Sequence, residues 1–252
     1  MKIIFFLFFL CRISFLSSVI FAQQTIDYWD AEQKIKKAEL NYSKGLQHGR
    51  FAWWDKKGTL IKESFYKLGM EDSISRLWYE TGKIKSEEHW KNGKKHGKCI
   101  YRYANGQKAQ ECFYTHNKPD SIWTGWHENG KLRSEEKFKA HEIKLKTEWE
   151  SFRTGKWIYY YENGQKESEG NFLNGKQEGH YTNWYDNGNK ETEGDFKNDK
   201  KEGRWTSWYK SGQLREEFVY KDGDFAVLSF WDEAGVQKVK DGNGYYIYLD
   251  DY

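Results

Sequence analysis

Aromatic and apolar positions alternate with charged ones in short runs, and the runs are cut at regular intervals by glycine. In Thr154–Gly175, TGKWIYYYENGQKESEGNFLNG, Gly155 opens an aromatic run from Trp157 to Tyr161. Glu162-Asn163-Gly164-Gln165 reverses the chain, a charged alternating run leads to Phe172, and Asn174-Gly175 closes the unit. Alternation with period two is the pattern of a half-buried strand, and Asn-Gly between two such runs predicts a hairpin whose turn takes positive φ. The same three glycine columns recur. The mid-unit column is Gly58, Gly82, Gly106, Gly130, Gly164, Gly188, Gly212 and Gly235, with steps of 24 residues apart from one of 34 and a last one of 23. The opening column is Gly49, Ser73, Gly97, Ser121, Gly155, Gly179, Gly203 and Val227, and the closing column is Gly45, Gly69, Gly93, Asn117, His141, Gly175, Asp199 and Gly223. A shared period of this length predicts a repeat array.

The recurring pattern, G-x-W-x-x-W-Y-x-N-G-x-x-x-x-E-x-x-F-x-N-G, resembles the MORN-repeat variant found in exported bacterial repeat proteins and in proteins labelled YwqK-type antitoxins. The resemblance covers about Lys44–Gly244. It implies an all-β fold: an elongated single-layer antiparallel sheet of tandem β-hairpin repeats. At about 4.8 Å per strand and roughly 17 strands, such a rod is about 80 Å long.

The predicted organisation has four parts. Residues 1–22 read as a secretory signal peptide cut between Ala22 and Gln23, although Arg12 splits the apolar run. Residues 23–44 form an N-terminal cap or degenerate repeat, because Trp29–Ile35 echoes Trp78–Ile84; a short helix over Asp30–Leu40 is the alternative. Residues 45–244 carry the repeats, with an insertion at 142–153 that serves as an extra strand or a loop. Residues 245–252 make a last strand or cap.

Turn length decides which residues face each other. A two-residue Asn163-Gly164 turn puts Tyr161 opposite Lys166 and Trp157 opposite Gly170, and in the next unit Tyr181 opposite Gly194, an aromatic laid over a cross-strand glycine. A three-residue turn shifts that register by one. On the first assumption one face holds Phe51, Trp123, Trp157, Tyr181 and Trp205 with Tyr66, Trp90, Tyr114, Phe138, Phe172, Phe196 and Tyr220. The other face carries a second column: Trp54, Trp78, Arg102, Trp126, Tyr160, Trp184, Trp208 and Trp231.

Charge excludes some functions. The signal takes Lys2 and Arg12 from 41 basic residues, leaving 39 against 38 acids, so nothing favours nucleic acid. No transmembrane segment remains after cleavage. Aromatics at 19% with a single proline fit a β array rather than a disordered tail. The seven histidines show no ligand spacing, so no metal is expected, and no cofactor either. Glu63, Glu87, Glu111, Glu135, Glu169, Glu193 and Glu217 recur in every unit, which marks them as structural cross-strand partners rather than a catalytic pair. No nucleophile motif or phosphate loop is present, so no enzymatic activity is expected.

The candidate partner-binding residues are Trp54, Trp78, Trp126, Tyr160, Trp184, Trp208 and Trp231. Cys99 and Cys112 flank Asn105-Gly106 symmetrically and form a candidate disulfide. The expected role is that of an exported scaffold, in the periplasm, associated with the outer membrane or at the cell surface, binding a protein partner or an envelope polymer. Two alternatives stand beside it: an antitoxin or immunity protein, which rests on the family label alone, and carbohydrate or lipid binding through the Trp column.

Overall fold

The computed structural model describes residues 22–143, 148–221 and 224–244. The expected signal segment and the C-terminal strand over 245–252 lie outside them, as does Gly223. Among the described residues there is no helix, and 22 strands form one antiparallel sheet. Each strand pairs with its neighbours in the chain, so the sheet grows hairpin by hairpin. At about 4.8 Å per strand, each two-strand unit advances the array by about 9.6 Å.

The N-terminal segment is a hairpin of Gln23–Tyr28 with Lys36–Ser43. The helix over Asp30–Leu40 does not form. Thr25, Ile26 and Asp27 lie opposite Leu40, Glu39 and Ala38, and pairing with that edge outweighs the helix preference of Ala, Glu and Lys. The inserted residues lengthen a hairpin. The strand Leu132–Ile143 pairs over Phe138–Ile143 with Glu148–Arg153, then over Ser134–Glu135 with the strand Gly155–Tyr160. His141 is therefore no closing turn, as its column would make it. It lies within the long strand opposite Glu150.

The two edges of the sheet use different turns, and the mid-unit turn is not the two-residue turn that its Asn-Gly pair predicts. The closing column carries the two-residue turns in which both residues have positive φ, as at Asn92 and Gly93 (50° and 73°) and Asn174 and Gly175 (50° and 84°). In the mid-unit turns only the glycine is left-handed: Gly164 has φ of 90°, while Asn163 does not. The Gly164 amide donates to the Tyr161 carbonyl and the Tyr161 amide donates to the Gln165 carbonyl, both at 2.9 Å. This is a three-residue loop made of a type I turn and a left-handed glycine bulge. Tyr161 consequently faces Gln165, not Lys166, and Lys166 pairs with Tyr160.

Glu167 then bulges out of the ladder, because Tyr160 pairs with Lys166 while Tyr159 pairs with Ser168. The bulge undoes the one-residue shift of the turn. Trp157 therefore lies opposite Gly170 and Tyr181 opposite Gly194 after all. The same shift recurs at Trp53/Trp54, Leu77/Trp78, Tyr101/Arg102, Gly125/Trp126, Asn183/Trp184 and Ser207/Trp208.

A single layer has no second sheet to pack on, so the aromatic face is the core. Trp205 and Phe51 are 0% and 1% exposed. Trp157, Tyr181 and Trp205 run unit to unit with ring centroids 6.1 and 5.9 Å apart. Beneath them runs a line of small buried hydroxyls, Ser64, Ser75, Ser86, Ser134 and Ser168. Ser64 and Ser75 share a 2.7 Å hydrogen bond, which satisfies groups that burial would otherwise leave unpaired.

Candidate interaction surface

The face opposite the aromatic core carries one unbroken line of paired residues. It runs Glu39, Ala52, Glu63, Arg76, Glu87, Ile100, Glu111, Thr124, then Glu135, Ile158, Glu169, Thr182, Glu193, Thr206, Glu217, Ser229. A glutamate occupies every second place, one per unit. Because every connection is a hairpin, a residue at a fixed offset in the repeat always returns to the same row.

Basic side chains neutralise this row across strands. Arg50 bridges Glu39 (3.3 Å) and Glu63 (2.6 Å), and Arg76 bridges Glu63 (3.2 Å) and Glu87 (3.1 Å). Lys98 and Lys108 both hold Glu111 at 2.8 Å, and Lys156 and Lys166 hold Glu169 at 3.0 and 2.7 Å. The Lys108 and Lys98 hydrogen bonds keep the Glu111 carboxyl below its ordinary value against a smaller opposing effect of burial. At Glu169 burial pushes upward, but the bonds from Lys166 and Lys156 outweigh it and the net shift is downward. Glu135 has no basic group within 4.0 Å among the described residues.

Trp54, Trp78, Trp126, Tyr160, Trp184, Trp208 and Trp231 flank this row, all half-buried. Lys108 lies 5.3 Å from the Trp126 ring centre, Lys166 5.5 Å from Trp184, and Lys190 5.4 Å from Trp208. Lys36 and Arg50 lie over Trp54 at 5.5 and 5.8 Å. The same lysines hold the glutamates, so tryptophan, lysine and glutamate make one repeating motif.

Pattern reading missed the ladder that joins one mid-unit turn to the next. The Tyr79, Tyr103, Tyr161, Tyr185 and Tyr209 hydroxyls donate to the carbonyls of Arg102, Trp126, Trp184, Trp208 and Trp231 at 2.6–3.0 Å. His127 takes this place against the Tyr160 carbonyl (2.7 Å), and the Trp29 indole against the Trp54 carbonyl (2.9 Å). Burial, then Glu167 and Glu191, raises the Tyr161 phenol above its ordinary value, which keeps it a donor. The turn asparagines work the same way. Asn129 Oδ1 accepts from the Lys131 amide and its Nδ2 donates to the Glu162 carbonyl, both at 2.9 Å. A tyrosine three residues before five of the eight mid-unit glycines was the available signal.

On the aromatic face, Lys201 lies 4.2 Å from the Trp205 ring centre, and burial lowers its ammonium from the ordinary value. It borders a cavity of about 250 Å³ with Glu216, Phe218, Tyr220 and Phe225. Cys99 pairs with Cys112, and both are free, fully buried thiols. The His96 and His116 rings meet edge-on at 5.2 Å, which no spacing rule foresaw. No group of three or more His, Cys, Asp or Glu among the described residues could hold a metal ion. No described helix is long and apolar enough to cross a membrane.

A meandering sheet of stacked hairpins, with a repeated polar motif on one face and its own core on the other, defines a repeat scaffold. The MORN repeat variant matches residues 71–92, 119–140, 153–174, 177–198 and 201–222, and the MORN repeat matches 89–108 and 169–180. The chain belongs to the MORN-repeat family, whose repeats are generally scaffolds that bind proteins or membranes and are typically non-catalytic. No curated protein matches the chain. Among solved structures it is similar to alternansucrase in complex with isomaltononaose, at 16% identity and a TM-score of 0.20, over 85% of this chain and 16% of that one. A likeness that slight carries no argument.

Proposed function

We propose that the chain is an exported, non-catalytic scaffold that binds a protein partner or an envelope polymer along its glutamate–lysine–tryptophan face. The observation that carries this reading is the unbroken row from Glu39 to Ser229, which repeats one set of groups at each unit. A partner that is itself extended or periodic meets the same chemistry at every step, so weak contacts add along the array. Export is supported by the apolar Met1–Phe21 stretch before Ala22. Stacking of sugars on the Trp column ranks lower, because lysines already lie over Trp126, Trp184 and Trp208.

Fractionation of the native host with N-terminal sequencing tests export, with Gln23 as the expected first residue. Intact Met1 in the cytosol overturns it. Co-sedimentation with isolated envelopes tests the surface. Charge reversal at Lys166 and Lys190 should release the protein, while its circular dichroism stays that of the parent. Undiminished binding by that variant overturns the assignment of this face. If Trp184→Ala abolishes binding without lowering the melting temperature, direct stacking on the Trp column is the better account.

A further inference from the structure

One unit carries two cysteines at a cross-strand position that two other units fill with an aromatic over a glycine. Cys99 stands where the units two and three farther along have Trp157 and Tyr181, and Cys112 stands where they have Gly170 and Gly194, while the flanking units have Ser75 opposite Glu88 and Trp123 opposite Glu136. Both members of the pair change together, in the same register. Residues directly opposite each other in an antiparallel pair have Cα atoms about 4.5–5.5 Å apart, inside the range that a disulfide spans. Both side chains are 0% exposed, and the two residues are direct cross-strand partners.

The surroundings close over the pair. Lys95 Nζ lies 5.8 and 5.4 Å from the Tyr101 and Tyr114 ring centres and 2.8 Å from Glu88 Oε1, and Glu88 pairs with Cys99 across the other strand. Elsewhere on this face an aromatic ring fills the corresponding space, as Trp205 does over Gly194. Two small thiols replace that packing with little bulk, and a covalent bond between them would restore the lost cohesion of the hairpin.

We propose that Cys99 and Cys112 form a cross-strand disulfide in the mature protein, a permanent staple within the hairpin of Lys94–Arg102 and Lys108–Thr115. The bond rests on the export reading, because an oxidising compartment must supply the oxidant. That oxidant is a disulfide-bearing one, such as a thiol–disulfide oxidoreductase. The Cys99 thiolate attacks one sulfur of the donor and releases the other as a thiol. The Cys112 thiolate then attacks the Cys99 sulfur and releases the second donor thiol. Two protein thiols are oxidised, one donor disulfide is reduced to two thiols, and the two protons leave with them. Full burial means that the bond forms while the hairpin closes and is then shielded from reductants, so it is a structural staple and not a switch.

Mass spectrometry decides the matter on protein purified from the native host, unfolded without reductant, alkylated and digested with trypsin. The expected product joins peptides Cys99–Arg102 and Ala109–Lys131 and separates on reduction. A second portion is reduced, unfolded and refolded with oxidised and reduced glutathione. Free, alkylated thiols in both portions overturn the proposal and leave export untouched. Free thiols in the native protein with the linked peptide after refolding overturn it through the compartment, and the export reading falls with it.

Discussion

The Tyr161 hydroxyl donates a 2.7 Å hydrogen bond to the main-chain carbonyl of Trp184, twenty-three residues farther along and one unit up the array. Five tyrosines make this bond, and His127 and Trp29 make its equivalents. Each ties the turn of one hairpin to the strand end of the next. The repeats are thus joined at the edge as well as through the sheet ladder.

Removing one such hydroxyl should be measurable. Tyr161→Phe keeps the ring but leaves a half-buried carbonyl without its partner, and the expected loss is about 0.5–1.5 kcal/mol. Urea unfolding of Tyr161→Phe, Tyr209→Phe and the double variant checks this. The two bonds lie two units apart, so their losses should add. Unchanged stability in both single variants would mean that the turn ladder contributes nothing.

Gly194 should tolerate no side chain. A Cβ there would lie 2.2 Å from Trp205 Cδ2, whereas at Gly170 it would lie 3.1 Å from Trp157 Cζ2. Trp205 is fully buried and cannot swing away cheaply. Gly194→Ala should cost about 1–3 kcal/mol, typical of overpacking, and more than Gly170→Ala. Equal melting temperatures for the two variants would contradict this packing.

Deleting Lys176–Asp199 should give a shorter folded array. The cut joins Gly175 to Lys200, which replaces Lys176 at the same position in the repeat. Tyr161 then meets the Trp208 carbonyl in place of that of Trp184. Nearest-neighbour stacking predicts cooperative unfolding with a smaller denaturant slope, because less surface is exposed. Loss of folding from this in-frame cut would refute the array as a sum of equivalent units.

The glutamate row should make stability fall in acid. The folded Glu111 carboxyl is held below its ordinary value of 4.5, chiefly by the Lys108 and Lys98 hydrogen bonds. A depressed carboxyl stabilises the fold fully above the unfolded value, and that stabilisation is lost as pH falls through the folded value. Glu111→Gln should therefore melt lower than the parent at neutral pH, and the gap should close below that value. A gap that persists unchanged in acid would exclude this ionic contribution.

Much of this architecture is legible in the chain alone. The shared spacing of three columns, seen in Gly58, Gly82 and Gly106, determines the hairpin repeat, because a period is a property of sequence and each hairpin needs only local turn chemistry. Alternation likewise determines the two faces, whereas Trp157 lies opposite Gly170 only because the bulge cancels the longer turn. What only the tertiary structure decided is how neighbouring units meet. Asn163 was legible as a turn residue, but its side chain serves to bridge to the next turn, and the left-handed Asn belongs to the other edge, at Asn174. The turn is one residue longer than its Asn-Gly pair suggests, and a bulge at Glu167 takes up the difference. Two such shifts cancel beyond the bulge, so no alternation pattern can reveal them. The Tyr161–Trp184 bond, the lysines over the tryptophans and the ring of Trp205 on Gly194 all link residues of different units. Each depends on the spacing between stacked strands, a distance set by the assembled sheet and not by any segment of the chain.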